Sequence, residues 1–155
     1  MATHVQGGGN NAESGASLSV ILNGVAAGNL IVVFVAWSND RSPTCSDGTS
    51  SFTAGTKINT TIYYGQFFYL LSANGGNKTY TVSFGGTAGY PIMFAMEFNA
   101  SGAWTFDAQN AAANASSTAP NSGNISTSGT DEAVIWGNKL FNTAMYGISL
   151  TVFLD

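Results

Sequence analysis

Charge is what this sequence has least of. Asp, Glu, Lys and Arg make up 8% of its 155 residues, against about 25% in an ordinary soluble domain. A monomer wetted on every side normally carries more. The shortage implies a surface of Ser, Thr and Asn, a surface buried against partner chains, or both. Arg41, Lys57, Lys78 and Lys139 are the only fixed cations, they are scattered, and the net charge is −4. Nucleic-acid binding needs several cations that neutralise phosphates, so neither nucleic acid nor, on the same ground, a polybasic membrane contact is expected.

Cysteine and histidine are nearly absent too. Cys45 stands alone, which excludes an intrachain disulfide and a paired-cysteine zinc site; it reads as a small buried filler. His4 is the only histidine, and no Gly-x-Ser-x-Gly elbow accompanies it, so nothing points to a nucleophilic triad. The longest apolar run is far short of the ~20 residues a helix needs to cross a membrane. Met1–Gln6 lacks the basic and apolar regions of a signal peptide. Together with the low charge, that suggests a virion or extracellular protein: a particle component released by lysis, or a module of a longer secreted protein.

What is present is strand patterning. Leu30-Ile31-Val32-Val33-Phe34-Val35-Ala36-Trp37 is apolar at every position and follows a Gly28-Asn29 turn. A strand apolar on both faces is covered on both sides, so this run predicts the central strand of a sheet. Ser17–Leu22 alternates and turns at Asn23-Gly24. Asp47-Gly48 is a turn signal, followed by a short strand over Ser51–Ala54. In Thr60–Leu71, Ile62, Tyr64, Gln66, Phe68 and Leu70 share one side, and Tyr63, Phe67, Tyr69 and Leu71 the other. Asn74–Asn77 predicts a hairpin turn, Lys78–Phe84 a strand, Gly85-Gly86 a turn, and Tyr90–Asn99 a further strand. Thr3–Gln6 is a first strand, with Gly7–Asn11 as a glycine-rich turn. Glu132–Gly137 and Ile148–Leu154 close the chain, with Met145-Tyr146 extended. Residues 108–130 are Ala, Asn, Ser, Gly and Thr with no apolar stripe, which predicts a long loop rather than a helix. The expected fold is all-β: an antiparallel β-sandwich or jelly roll of about ten short strands. It forms one domain, 1–155, with a polar N-terminal arm over 1–16.

Glu97 is the acid that stands out. Alternation along Tyr90–Asn99 assigns Ile92, Phe94, Met96 and Phe98 to the core and leaves Glu97 with Met93 and Ala95 on the opposite face. A carboxylate in such a strip reaches solvent, pairs with a cation or has a raised pKa. With Asp107 or Asp47 it is a weak candidate for a Ca²⁺ site; no other cofactor is expected. With Asp107, Asp131 or Glu132 it is a candidate glycosidase pair. It is also a candidate promoter of a Lys–Asn isopeptide crosslink, with Lys57, Lys78 or Lys139 as the amine. Trp37, Trp104, Trp136, Tyr63, Tyr69 and Tyr90 are candidates for a sugar-stacking platform, against the ordinary alternative that aromatics fill a core or an interface.

His4-Val5-Gln6, Ala27-Gly28-Asn29-Leu30-Ile31-Val32-Val33, Ser46-Asp47-Gly48 and Glu97-Phe98-Asn99-Ala100 occur in that order. The layout, over roughly residues 4–137, resembles β-sandwich modules of bacterial surface and phage-encoded proteins that carry an "AGDLLVV … D-G-T … E-Y-S-G" pattern. Asn29 replaces the acid of that pattern, and Asn99-Ala100 replaces its Ser-Gly. The resemblance implies a structural module and brings no catalytic residues with it. The first expectation is therefore a non-catalytic phage virion protein, a capsid decoration or a tail or fibre component, assembled with copies of itself and other virion proteins. The alternative is an extracellular carbohydrate-binding or adhesive module that takes a glycan. An enzyme comes third.

Overall fold

A computed structural model describes residues 2–114, 123–126, 133–137 and 147–154. Strands β1 (Thr3–Asn11), β2 (Ser14–Val25), β3 (Leu30–Ser38) and β4 (Thr44–Ser46) come first. Two short strands, β5 (Thr53–Ala54) and β6 (Ile58–Asn59), lead into β7 (Tyr63–Leu70) and β8 (Gly76–Asn99). Finally come β9 (Phe106–Asn114), β10 (Ala133–Gly137) and β11 (Gly147–Leu154). The protein is all-β, every strand pairing is antiparallel, and no helix occurs among the described residues.

The all-apolar run is β3, and it is central. It pairs with β7 on one edge and β8 on the other, in the sheet order β1-β8-β3-β7-β5. Its two faces feed two cores. Ile31, Val33, Val35 and Trp37 pack with Leu18, Val20 and Leu22 of β2, Tyr80, Val82 and Phe84 of β8, and Cys45 of β4. Leu30, Val32, Phe34 and Ala36 pack with Phe67 and Tyr69 of β7, Trp104, and Ala133 and Ile135 of β10. Strand β10 belongs to a second sheet, of order β10-β11-β9. Each large side chain so buried contributes about 1.5–3 kcal/mol, which is why a run without a polar position settles between two apolar layers. β7 divides as its alternation predicts, with Tyr64 and Phe68 in the first core and Phe67 and Tyr69 in the second.

β8 corrects two expectations. Gly85-Gly86 does not separate two strands; it bends one strand of 24 residues. Before the bend β8 pairs with β2 and β4; after it β8 pairs with β3 and β1, and with the first residues of β2 at Ala88 and Gly89. Gly85, at φ +70°, takes the left-handed backbone that the corner requires. Asn74–Asn77 is not a hairpin turn either, because β3 lies between β7 and β8. The segment instead carries the chain across to the β2–β8–β4 layer.

Gly7–Asn11 is a strand, not a turn, and most of the supposed N-terminal arm is the sheet's edge strand. In β1, Gly7, Gly8 and Gly9 pair with Met96, Ala95 and Phe94. Glycine carries no side-chain pattern, which is why alternation missed the segment. Its bareness is what the site needs. A Cβ on Gly8 would lie 3.0 Å from Val20 Cγ1, and one on Gly9 would lie 2.7 Å from the Phe94 ring. Two side-chain amides from β1 also reach carbonyls of β2. Gln6 Nε2 donates to Asn23 O (3.0 Å) and Asn10 Nδ2 donates to Ser19 O (2.9 Å). Replacing Gly8 by Val forces overpacking here; chemical denaturation should show a loss of about 1–3 kcal/mol with an unchanged m-value.

Residues 108–114, expected as part of a loop, continue β9 and pair with β11. Backbone pairing supplies there what side-chain pattern does not. Residues 123–126 have no regular structure. The rest of the 108–130 stretch, Met145-Tyr146, Asp131, Glu132 and Lys139 lie outside the described residues.

Candidate functional site

The expected faces of the Tyr90–Asn99 strand are exchanged. Met93, Ala95 and Glu97 are fully buried, whereas Ile92, Met96 and Phe98 are half-buried and Phe94 is 48% exposed. The alternation is right but the inside is the other side. Covering of that face by β2 outweighs the greater apolarity of the Ile92–Phe98 set.

Glu97 is therefore a carboxylate in the core, and its partners are amides rather than a cation. Oε1 accepts from the Ala26 backbone N–H (2.9 Å) and from Asn29 Nδ2 (2.6 Å), and Oε2 accepts from Gln6 Nε2 (2.6 Å). Both oxygens are engaged, and the acid joins three pieces of chain: β1, the turn from β2 to β3, and β8. Sequence reading missed these partners. They follow from the register: Glu97 lies opposite Ile31 in the β3–β8 ladder, which brings Asn29, two residues before Ile31, to its vicinity.

Asp47 is the second acid held by internal donors. Oδ1 accepts from Thr49 N (3.0 Å), Thr49 Oγ1 (2.9 Å) and Ser50 N (2.5 Å). Oδ2 has no hydrogen bond and faces Lys78 Nζ at 3.6 Å, with the Asp47 side chain only 1% exposed. Burial pushes the carboxyl's pKa up, but the Ser50 and Thr49 donors and the Lys78 charge outweigh it and hold Asp47 below the usual carboxylate range. Neighbouring Cys45 is buried, and burial together with the Asp47 charge pushes its thiol up to about 12. Tyr80 is raised as well, first by burial and then by the charges of Asp47 and Glu97. Because the thiolate is the reactive form, Cys45 should resist maleimide at pH 8 in the folded protein. It should label stoichiometrically once the chain is unfolded, as mass spectrometry would show.

No cluster of three or more metal-ligating His, Cys, Asp or Glu side chains occurs among the described residues. Asp107 lies half-buried on β9. Of the described lysines, Lys57 Nζ lies 2.8 Å from Asp40 Oδ1 and Lys78 faces Asp47, so both meet acids other than Glu97.

The aromatics do not share one surface. Trp37 is fully buried, stacked on Tyr64 at 5.7 Å in the first core. Trp104, Tyr69 and Tyr63 belong to the second core, on the other side of the sheet, and Tyr69 stacks on Phe106 at 5.2 Å. Tyr90 lies on β8 beyond the Gly85-Gly86 corner, with φ +46°, and is 63% exposed. Trp136 lies on β10, where only its backbone is described.

An open concavity of about 410 Å³ lies elsewhere, lined by Gly7, Gly8, Gly9, Phe34, Phe94, Ala95, Met96 and Gly137. None of these described lining residues carries a charge. The bare glycine backbone of β1 lets the Phe94 ring lie over Gly9, so the groove is a product of the segment that alternation could not read. Comparison with known proteins adds no relative: no family model, curated protein or solved structure matches the chain.

Proposed function

We propose that the chain is a non-catalytic structural subunit that works by assembling with copies of itself, as a capsid decoration or a tail or fibre component of a phage particle. The observation that carries this reading is the uncharged groove over β1 and β8, with Phe94 half-exposed beside it. Interface centres are apolar, aromatic-rich and poor in charge, and this chain has little charge anywhere. The two acids best placed for chemistry, Glu97 and Asp47, spend their oxygens on internal donors and on Lys78. The virion setting draws support from the all-β build and from the sequence resemblance to phage-encoded modules.

Phe94→Asp tests the reading. The ring is half-exposed, so the fold should hold while sedimentation velocity shows the oligomer falling to a monomer. Gly9→Ala is a second test from the strand side, because its Cβ displaces the Phe94 ring without adding charge. Unchanged oligomers in both variants would remove the groove from the interface.

A further inference from the structure

We propose that Lys78 and Asp47 join through an intramolecular isopeptide bond that staples the turn after β4 to the start of β8. The proposal is independent of the assembly reading. Three features of the pair converge on it. The side chains are shielded, Asp47 at 1% and Lys78 at 14% exposure. Their closest contact, Nζ to Oδ2 at 3.6 Å, is an ion pair without a hydrogen bond, and it sets the amine beside the carboxyl group it would join. Finally, the two carboxylate oxygens are unequal: Oδ1 holds three donors, from Thr49 and Ser50, while Oδ2 holds none.

That inequality assigns the atoms. Lys78 Nζ attacks Asp47 Cγ, the Nζ–Cγ bond forms and the Cγ–Oδ2 bond breaks. Oδ2 leaves as water with two of the three ammonium protons, and the third stays on the amide. An ammonium and a carboxylate become one neutral amide and one water, with no other reagent. Oδ1 remains as the amide carbonyl, and its three donors stabilise the negative charge that develops on it during the attack, as in an oxyanion hole. Burial favours the product, because two charges held out of water are exchanged for a neutral group. Tyr80 lies two residues beyond Lys78, on the same strand face, and its buried hydroxyl has no hydrogen-bond partner. Glu97, the promoter expected for a Lys–Asn crosslink, takes no part in this one.

Intact mass spectrometry of the purified chain is the test. The expected mass is one water below that of the sequence, and digestion should release a branched peptide joining Lys78 to Asp47 with no tryptic cut after Lys78. Lys78→Arg and Asp47→Ala should each restore the full mass of their own sequences; the arginine variant keeps the charge if the alanine variant folds poorly. A native chain at full mass would overturn the proposal and leave an ion pair. In that case Asp47, with its pKa below the usual value, would contribute stability present above the ordinary carboxylate range and lost as pH falls through its folded value. Water loss that persists in Lys78→Arg would overturn it differently, by assigning the loss to a succinimide at Asp47-Gly48.

Discussion

Replacing Glu97 by Ala should destabilise the protein by about 3–5 kcal/mol, the usual scale for removing one side of a buried, charged hydrogen-bonded set. Three donors lose their acceptor at once: the Ala26 N–H, the Asn29 amide and the Gln6 amide. The first two belong to the connection that launches β3, and the third to β1, so both edges of the arrangement loosen together. Glu97→Gln should cost less, about 1–2 kcal/mol. Its carbonyl oxygen still serves Ala26 and Asn29, but its NH₂ then meets the Gln6 NH₂. Gln6 relieves this by turning its amide over, which gives up its bond to Asn23 O. Urea unfolding of the three proteins measures the order directly. Equal losses for Ala and Gln would mean that the charge, rather than the count of satisfied donors, is what matters at this position.

The second large effect is expected at Trp37. It is completely buried, stacked on Tyr64 and tilted against Phe84 at 5.8 Å. Trp37→Ala should cost about 3–5 kcal/mol and lower the melting temperature by roughly 10 °C in a chain of this length. Trp37→Phe, which keeps much of the stack, should recover about half of the loss. The indole N–H has no hydrogen-bond partner, so Phe removes no bond and only volume. A Trp37→Ala protein of native stability would contradict the two-sided burial of β3.

How much of this was legible depended on whether a segment announces itself by its side chains. β3 could be read in full, because an unbroken apolar run has only one low-energy setting in a sheet: between two covered faces. β7 was legible for the complementary reason, since its two alternating sets both proved to be buried. β1 was not, because Gly7-Gly8-Gly9 has no side chains to alternate; its strand is specified by β8 on one edge and by the room that β2 and Phe94 require. β9 was missed similarly, its Ala and Asn residues being held by the ladder to β11. Alternation could pair Glu97 with Met93 and Ala95 but could not say which face is covered, because coverage depends on β2, a strand distant in sequence. The Glu97 network follows only once β3 and β8 are in register, and the groove only once β1 is known to be a strand.

The solution mass of the unmodified chain, by light scattering across a dilution series, bears most directly on the proposed role. Assembly through the uncharged groove predicts a discrete oligomer that persists on dilution and does not fall apart as salt is raised, since no charge pair holds it. A monomer at every concentration would contradict that role. It would also mean that a surface with so few charges faces water by itself, with glycan binding through exposed residues such as Tyr90 the next reading to test.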